Sequence, residues 1–267
     1  MKRLVYILLL LVFLLTLSHN VRATIQARDI IIINQVEHKL NNVLLFQLDS
    51  ARYNALEKEL DFGNFSHSAN WRGHISTFEI KDNKLFLNSI KTSKIITDFK
   101  GLLDKYIDKK GRVFASWVSG TFICGTGECL YLAQNGFDSV YTQETELIIK
   151  NGVLISSRTY FNKTNGTSYL DDANRMLTEC FDISKIKCPK GRVSVKVFAS
   201  KFSNEGKVTE WSVKFLREDN GLSAEMKGMI VQEINRVFNL IDWKTYCRNG
   251  QWYWIYQDGL IYPLIFE

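Results

Sequence analysis

Proline is scarce in this chain: of 267 residues, only Pro189 and Pro263 are prolines. A long Pro-rich stretch, which would form a stiff extended spacer, is therefore excluded. The sixteen glycines and the 46% of apolar residues are typical of packed proteins, not of disordered or collagen-like ones. The sequence therefore predicts a folded chain without a spacer.

Histidine is also scarce, and cysteine is limited to five residues. Beyond the first 23 residues only His38, His67 and His74 remain. They lack a second ligand pair at short spacing, so we predict no metal site and no cofactor. His67 or His74 with Glu79 can be arranged as a general base and its orienting carboxylate. Isolated histidines in a loop and a strand are more often without a catalytic role, so we predict a non-enzymatic protein.

Basic clusters of the kind that bind nucleic acid are absent as well. The chain has 34 Lys and Arg against 28 Asp and Glu, a formal net charge of +6. No Lys/Arg cluster has interleaved aromatic residues of the kind that a phosphate backbone needs. Nucleic-acid binding is therefore not expected.

The amino terminus has the pattern of a secretory signal peptide. Lys2 and Arg3 precede an almost unbroken apolar run, 4–17, and residues 21–23 (Val-Arg-Ala) are suited to a signal peptidase. The run is shorter than the roughly 20 residues of a membrane-spanning helix. An uncleaved anchor is the alternative, and only in that case do we expect membrane association. We predict a signal peptide at 1–23 and a periplasmic or secreted bacterial protein.

Residues 24–161 are predicted to form a β-rich antiparallel domain with two short helices. The β-branched run 29–34 predicts a buried strand. A helix capped by Asp49 or Ser50 is predicted to end near Leu60, and a second helix is predicted over 97–108 from its apolar stripe.

Hairpins dominate the remainder of this domain. One is predicted at 71–87, and strand follows strand from 112 to 161, with turns at Asn135-Gly136 and Asn151-Gly152. The run WRGHISTFEI at 71–80 resembles an uncharacterised bacterial family with a W-R-G-x-x-x-T-x-E-I strand. That resemblance spans most of 29–161 and implies no chemistry.

Residues 162–188 are polar and rich in turn formers, and we predict a short linker there. Because an exported chain can be oxidised, two disulfides are candidates. Cys124 and Cys129 flank Gly-Thr-Gly-Glu between two predicted strands, across a hairpin. Cys180 and Cys188 form a second candidate pair, which leaves Cys247 unpaired.

The hydrophobic period switches twice in residues 189–267. Alternating apolar residues predict two strands joined by a turn at 204–206. Apolar residues three and four apart from Leu222 to Ile241, with Ser223 at the start, predict a helix. A final strand pair follows. This small β-β-α-β module and the β-rich domain together predict the α+β class.

The same region resembles the C-terminal domain of the TonB family, in the runs GRVSVKVFASKF, NEGKV, WSVKFL, DWK and NGQWYW...LIYPLIF. In that family the domain is a β-β-α-β module that docks onto short segments of outer-membrane transporters by strand pairing and other contacts. The resemblance implies that this chain binds another cell-envelope protein. Family members that transmit energy carry a Pro-rich spacer, so that role is not expected here.

Aromatic side chains near the carboxyl terminus are candidate binding residues: Trp252, Trp254, Tyr256 and Tyr262. Side chains alternate along a strand, so one face packs on the helix and the other can anchor a protein or stack on a sugar ring. Pro263 can instead blunt the strand edge. We predict an exported, non-enzymatic envelope protein whose C-terminal module binds another protein. The alternative is a secreted β-domain protein that binds a glycan or small ligand.

Overall fold

The structure is a computed structural model that describes residues 25–133, 135–186, 190–218 and 221–266. The predicted signal peptide and Cys188 lie outside the described residues. Strand residues outnumber helical ones, and four α-helices occur in the described part, which agrees with the α+β class at this coarse level. None of the helices in that part has the length and apolar character that a membrane crossing requires.

The chain divides into two compact units, each with its own hydrophobic core. The first comprises the described residues up to Cys124, with Leu132–Ser139 and Leu147–Ser156. The second comprises Gly125–Tyr131, Val140–Glu146 and the described residues from Ser157 onward. These bounds differ from the predicted domain bounds because three long strands each contribute residues to both units.

The largest sheet contains β1 (Ile30–Ile33), β2 (Val36–Leu40), β3 (Ile75–Lys81), β4 (Lys84–Lys91), β5 (Ile95–Ile96), β6 (Val113–Phe114), β7 (Gly120–Tyr131), β8 (Val140–Lys150) and β9 (Val153–Phe161). Its order is β3-β1-β2-β7-β8-β9-β4-β5, and β3 also pairs with β4, so the order closes on itself. Strand β1 is antiparallel to β2 and parallel to β3. A strand flanked on both sides suits the β-branched residues of β1.

Local sequence signals account for several elements of the first unit. Asp49 caps helix α1 (Ser50–Glu59) by accepting a hydrogen bond from the Arg52 amide at 3.1 Å. A short helix α2 (Phe62–Phe65) follows. The turn at Asn151-Gly152 has φ of +49° and +75°, as a two-residue hairpin turn with two positive φ angles requires.

The helix predicted over 97–108 is wrong, because the structure has only a 3-10 turn at Asp104–Tyr106. The Asp98 carboxylate accepts from the Lys100 amide, and that of Asp104 accepts from the Gly101 amide. These side-chain oxygens take backbone donors that a helix would need, and Gly101 has a φ of +85°. The apolar spacing therefore reflects burial of a loop.

The disulfide predicted between Cys124 and Cys129 is also wrong. Both residues lie in β7, five positions apart on one extended strand, so their Cα atoms are about 16 Å apart, too far for a disulfide. The chain turns later, between Tyr131 and Val140, so Asn135-Gly136 lies in a longer connection than the predicted two-residue turn. The Cys180–Cys188 pair stays a prediction.

The second unit contains β10 (Lys163–Asn165), α3 (Leu170–Cys180), β11 (Gly191–Phe202), β12 (Val208–Glu218), α4 (Ala224–Phe238), β13 (Thr245–Arg248), β14 (Gln251–Trp254) and β15 (Leu260–Phe266). Its strands outside the largest sheet form two three-stranded sheets in the described chain, β10-β13-β14 and β12-β11-β15. Ser223 caps α4 by accepting from the Met226 amide at 3.2 Å.

The core of the second unit includes part of the predicted linker. Ala173 and Leu177 of α3 are buried in the same cluster as Ile230 and Ile234 of α4. The segment 162–186 is therefore folded within this unit and does not act as an extended spacer.

Candidate functional site

Trp254, one of the predicted binding residues, is buried in the second unit. Its ring packs edge-on against Trp211 and Trp243, with centroids 4.8 and 5.2 Å away. Edge-to-face aromatic contacts of this kind stabilise a core. Only 3% of the Trp254 surface is exposed, at the border of a groove of about 250 Å³ that Tyr256 and Phe198 also line.

The other three predicted aromatic residues are partly buried and held by internal hydrogen bonds. Tyr256 Oη accepts from the Leu170 amide at 2.7 Å, and Tyr262 Oη donates to the Leu177 carbonyl at 3.1 Å. Burial raises the pKa of Tyr262. The Trp252 Nε1 donates to the Asn204 carbonyl at 3.1 Å. These side chains anchor α3 and the β11–β12 turn.

The carboxyl-terminal strand β15 presents a different surface. It lies at the edge of the β12-β11-β15 sheet among the described strands. Ile261 and Ile265 are 64% and 61% exposed, whereas Leu264 and Phe266 are buried. One face of β15 thus packs inward, and the other shows two large apolar side chains to solvent.

A groove of about 550 Å³ runs alongside β15. Helix α3 and strand β15 supply most of its lining: Leu170, Asn174, Leu177, Thr178, Leu260, Ile261, Tyr262, Pro263, Leu264 and Ile265. Apolar side chains dominate this lining, and none of the described ones is charged. The groove can therefore accept apolar side chains better than charged ones.

Pro263 has no backbone N–H, so it interrupts the row of hydrogen-bond donors along this strand edge. It pairs with Ser194 of β11, next to the buried pair Val193 and Leu264. Proline is tolerated in an edge strand where its nitrogen faces away from the neighbouring strand. We therefore infer that Pro263 faces outward and that the Ile261 and Ile265 amides, two residues away on either side, face outward too.

The first unit holds a buried ion pair that links positions far apart in the chain. The Arg72 and Asp29 side chains are fully buried, with Nη1 3.2 Å from Oδ1. Asp29 also accepts from the Ser76 amide at 2.9 Å, and Arg72 donates to the Ala27 carbonyl at 2.6 Å. Burial raises the pKa of Asp29 to about 6, although Arg72 opposes this shift.

His74 lies beside this pair. Its Nδ1 is 3.1 Å from the Arg72 carbonyl oxygen, which only accepts, so Nδ1 carries the hydrogen. Burial, together with the Arg72 charge, lowers the pKa of His74 to about 4. The ring packs 4.5 Å from that of Phe62. His74 is a neutral, enclosed side chain without solvent access in this structure.

The catalytic arrangement considered for His67, His74 and Glu79 gains no support from their surroundings. His67 is exposed, and its Nδ1 accepts from the Ala69 amide at 3.2 Å. Glu79 accepts from the Asn88 side chain at 3.0 Å. Across the described residues, no cluster of three or more His, Cys, Asp and Glu is arranged to hold a metal ion.

The sequence did not single out Ile261, Ile265 or the pairing of Asp29 with Arg72. The alternation in Leu260–Phe266 was a signal for the two isoleucines. Asp29 and Arg72 are 43 positions apart, and no local pattern connects them.

In comparisons with known proteins, this chain matches no family model, no curated protein and no solved structure.

Proposed function

We propose that this chain is an exported, non-enzymatic bacterial envelope protein that binds an extended segment of another envelope protein along β15. The observation that carries the proposal is the edge position of β15, with Ile261 and Ile265 exposed beside an apolar groove. Strand edges accept extended peptides through backbone hydrogen bonds, and neighbouring pockets select their side chains.

The order of elements in the second unit supports this proposal. Strands β11 and β12, helix α4 and strand β15 follow the β-β-α-β order that the resemblance to the TonB C-terminal domain implies. The buried residues of β11 pair across the sheet with those of β15, as in Val193 with Leu264. The hairpin β13–β14 is additional to that order and pairs with β10 in the other sheet.

The partner segment is expected to be extended and to carry apolar residues at alternate positions. Its backbone would pair with the outward amides of Ile261 and Ile265, and Pro263 would leave a gap between them. One face of the added strand would then point into the groove between α3 and β15. Burial of apolar area would contribute about 25 cal/mol per Å² before ordering costs.

Site-specific cross-linking tests the proposal. A photoreactive residue at position 261 or 265 of the exported chain is expected to cross-link one envelope protein through one short segment. Position 155 is the matched control, because Ile155 is 60% exposed on β9.

Charge variants provide the second arm of the test. Ile261→Asp or Ile265→Asp should abolish the cross-link made from the other position, whereas Ile155→Asp should leave it unchanged. Equal labelling from all three positions, or no specific partner from 261 and 265, would overturn the proposal. Circular dichroism of each variant checks that the fold is retained.

A further inference from the structure

The first unit has a second groove, of about 340 Å³. Its described lining is Asn41, Asn42, Val43, Phe46, Gln47, Trp71, Phe122 and Phe137, and none of these residues carries a charge. Ligand sites typically occupy roughly 300–1,000 Å³ and combine apolar or aromatic walls with a few polar groups. The size and chemistry of this groove match that description.

Two exposed aromatic rings form one wall. Trp71 is 58% exposed and Phe46 is 47% exposed. Their ring centroids are 6.0 Å apart, with an interplanar angle of 42°. Exposure of two large rings costs the protein the free energy that their burial would contribute. Apolar surface patches of this kind are typical of binding sites.

The backbone of Trp71 is held in place. Its amide donates to Gln26 Oε1 at 3.3 Å, and its carbonyl accepts from Ser66 Oγ at 2.9 Å. The next residue, Arg72, is anchored by Asp29, and its guanidinium lies 5.5 Å from the Phe137 ring centroid. The backbone that carries the Trp71 ring is therefore held before a ligand arrives, which lowers the backbone entropy lost on binding.

Gly73 allows this arrangement. It has a φ of +70°, and a Cβ at this position would lie 1.8 Å from the Phe62 carbonyl oxygen. Any other residue would displace the chain that follows Trp71. In the Trp-Arg-Gly run, the tryptophan ring is exposed, the arginine side chain is buried in an ion pair, and the glycine lets the backbone pass close to Phe62.

Amide side chains supply the polar groups of the groove. Asn41 Oδ1 accepts from Arg28 Nη1 at 3.0 Å, and Gln47 Oε1 accepts from the Ser119 amide at 2.9 Å. With these oxygens engaged, the amide nitrogens of Asn41 and Gln47 are the groups suited to donate to a ligand. Asn42 is exposed beside them.

We propose that this groove binds a neutral sugar ring of a glycan. The C–H face of a pyranose is apolar and covers an aromatic ring, while its hydroxyl groups accept from and donate to side-chain amides. A charged ligand would lose its hydration without meeting an opposite charge in the described lining. This site lies within the first unit and does not depend on β15.

Titration of the full chain without its signal peptide tests the site. The probes are the neutral oligosaccharides chitotetraose and cellotetraose, measured by calorimetry and by tryptophan fluorescence. At least one is expected to bind. Trp71→Ala and Phe46→Ala should each weaken binding about tenfold, the effect of losing one buried ring face.

Matched variants separate a lost ring face from a damaged fold. Trp71→Phe should restore most of the affinity, and Phe161→Ala should have no effect, because Phe161 is 80% exposed elsewhere in the chain. Failure of both probes to bind a folded chain at millimolar concentration would overturn the proposal. Binding that survives Trp71→Ala and Phe46→Ala would also overturn it, as would self-association of the chain that Trp71→Ala abolishes.

Discussion

At the residue scale, the buried ion pair of Asp29 and Arg72 contributes to the stability of the first unit. Both side chains are removed from water, so each depends on the other for compensation. The pair also orders the backbone, since Asp29 accepts from the Ser76 amide at the start of β3. Its main role is therefore to join the chain before β1 to the chain that leads into β3.

Breaking this pair from one side should be strongly destabilising. Asp29→Ala or Arg72→Ala is expected to lower the free energy of unfolding by about 3–5 kcal/mol, because one charge remains buried without a partner. Urea denaturation followed by circular dichroism measures the change. The double variant Asp29→Leu with Arg72→Met is the control and should be closer to wild type than either single variant. A decrease of less than ~1 kcal/mol in the free energy of unfolding of both single variants would contradict this account.

His74 predicts a pH dependence of stability. Its pKa in the folded chain is about 4, below the ordinary 6.5, so the unfolded chain binds more protons between these values. The stability contributed by neutral His74 is thus present above pH ~6.5 and is lost as pH falls towards ~4. Asp29, with a pKa raised to about 6, acts in the opposite direction, and its contribution is lost as pH rises through about 6.

The variant His74→Phe separates these two contributions. Removing the imidazole should remove the loss of stability on acidification between pH 6.5 and 4 that His74 causes. The opposing contribution of Asp29 remains. A contribution of His38 in the same direction as that of His74 also remains, because burial lowers the pKa of His38 too. The difference in unfolding free energy between wild type and variant should change by up to ~3 kcal/mol over this window. Urea midpoints measured at several pH values check this. Parallel curves for the two proteins would refute it.

At the element scale, β15 shows how one residue can limit a strand edge. The buried side chains of the strand face α4 and hold its register against β11. The Ile261 and Ile265 amides, inferred to face outward, are the donors that the proposed partner segment would use, and Pro263 has no amide hydrogen to donate. A single substitution at this position therefore changes the number of donors without changing the core.

Strand pairing predicts opposite effects for two substitutions. Pro263→Thr adds an outward donor and should strengthen partner binding about fivefold, whereas Ile265→Pro removes one and should weaken it by a similar factor. Ile265→Ala is the control, since it shortens the side chain but keeps the amide. Affinity is measured with a peptide of the cross-linked segment. Equal effects of Ile265→Pro and Ile265→Ala would exclude a contribution from the backbone.

Predicted and observed elements differ where side chains compete for backbone groups. The α4 cap at Ser223 and the Asn151-Gly152 turn follow from local rules, and both occur as predicted. The apolar residues around Phe99 and Leu103 are spaced as in a helix. However, the Asp98 and Asp104 carboxylates accept hydrogen bonds from nearby backbone amides that would otherwise take part in helical hydrogen bonding. Apolar spacing alone does not report this competition.

At the scale of the whole molecule, two separate cores divide the chain. Each unit contains one of the two proposed binding surfaces. The groove beside Trp71 and Phe46 lies in the first unit, and the β15 edge lies in the second. Each proposal can therefore be tested with substitutions that leave the other surface untouched.

The prediction that concerns the whole molecule is its export from the cytoplasm. The sequence predicts cleavage after Ala23, so the exported protein should begin at Thr24. Mass spectrometry of the protein from a bacterial periplasm or culture medium measures the first residue. A chain that retains residues 1–23 and fractionates with membranes would support the uncleaved anchor instead. A full-length chain in the cytoplasm would contradict export.

The amino-acid sequence by itself determined the α+β class at a coarse level, the positions of several strands and the start of α4. These features depend on spacing, capping and turn residues that act over a few positions. Only the tertiary structure decided that Cys124 and Cys129 share one strand, that Trp254 is a core residue, and that Asp29 meets Arg72. The physical reason is that burial and ion pairing depend on contacts between distant segments, and these exist only once the strands have paired.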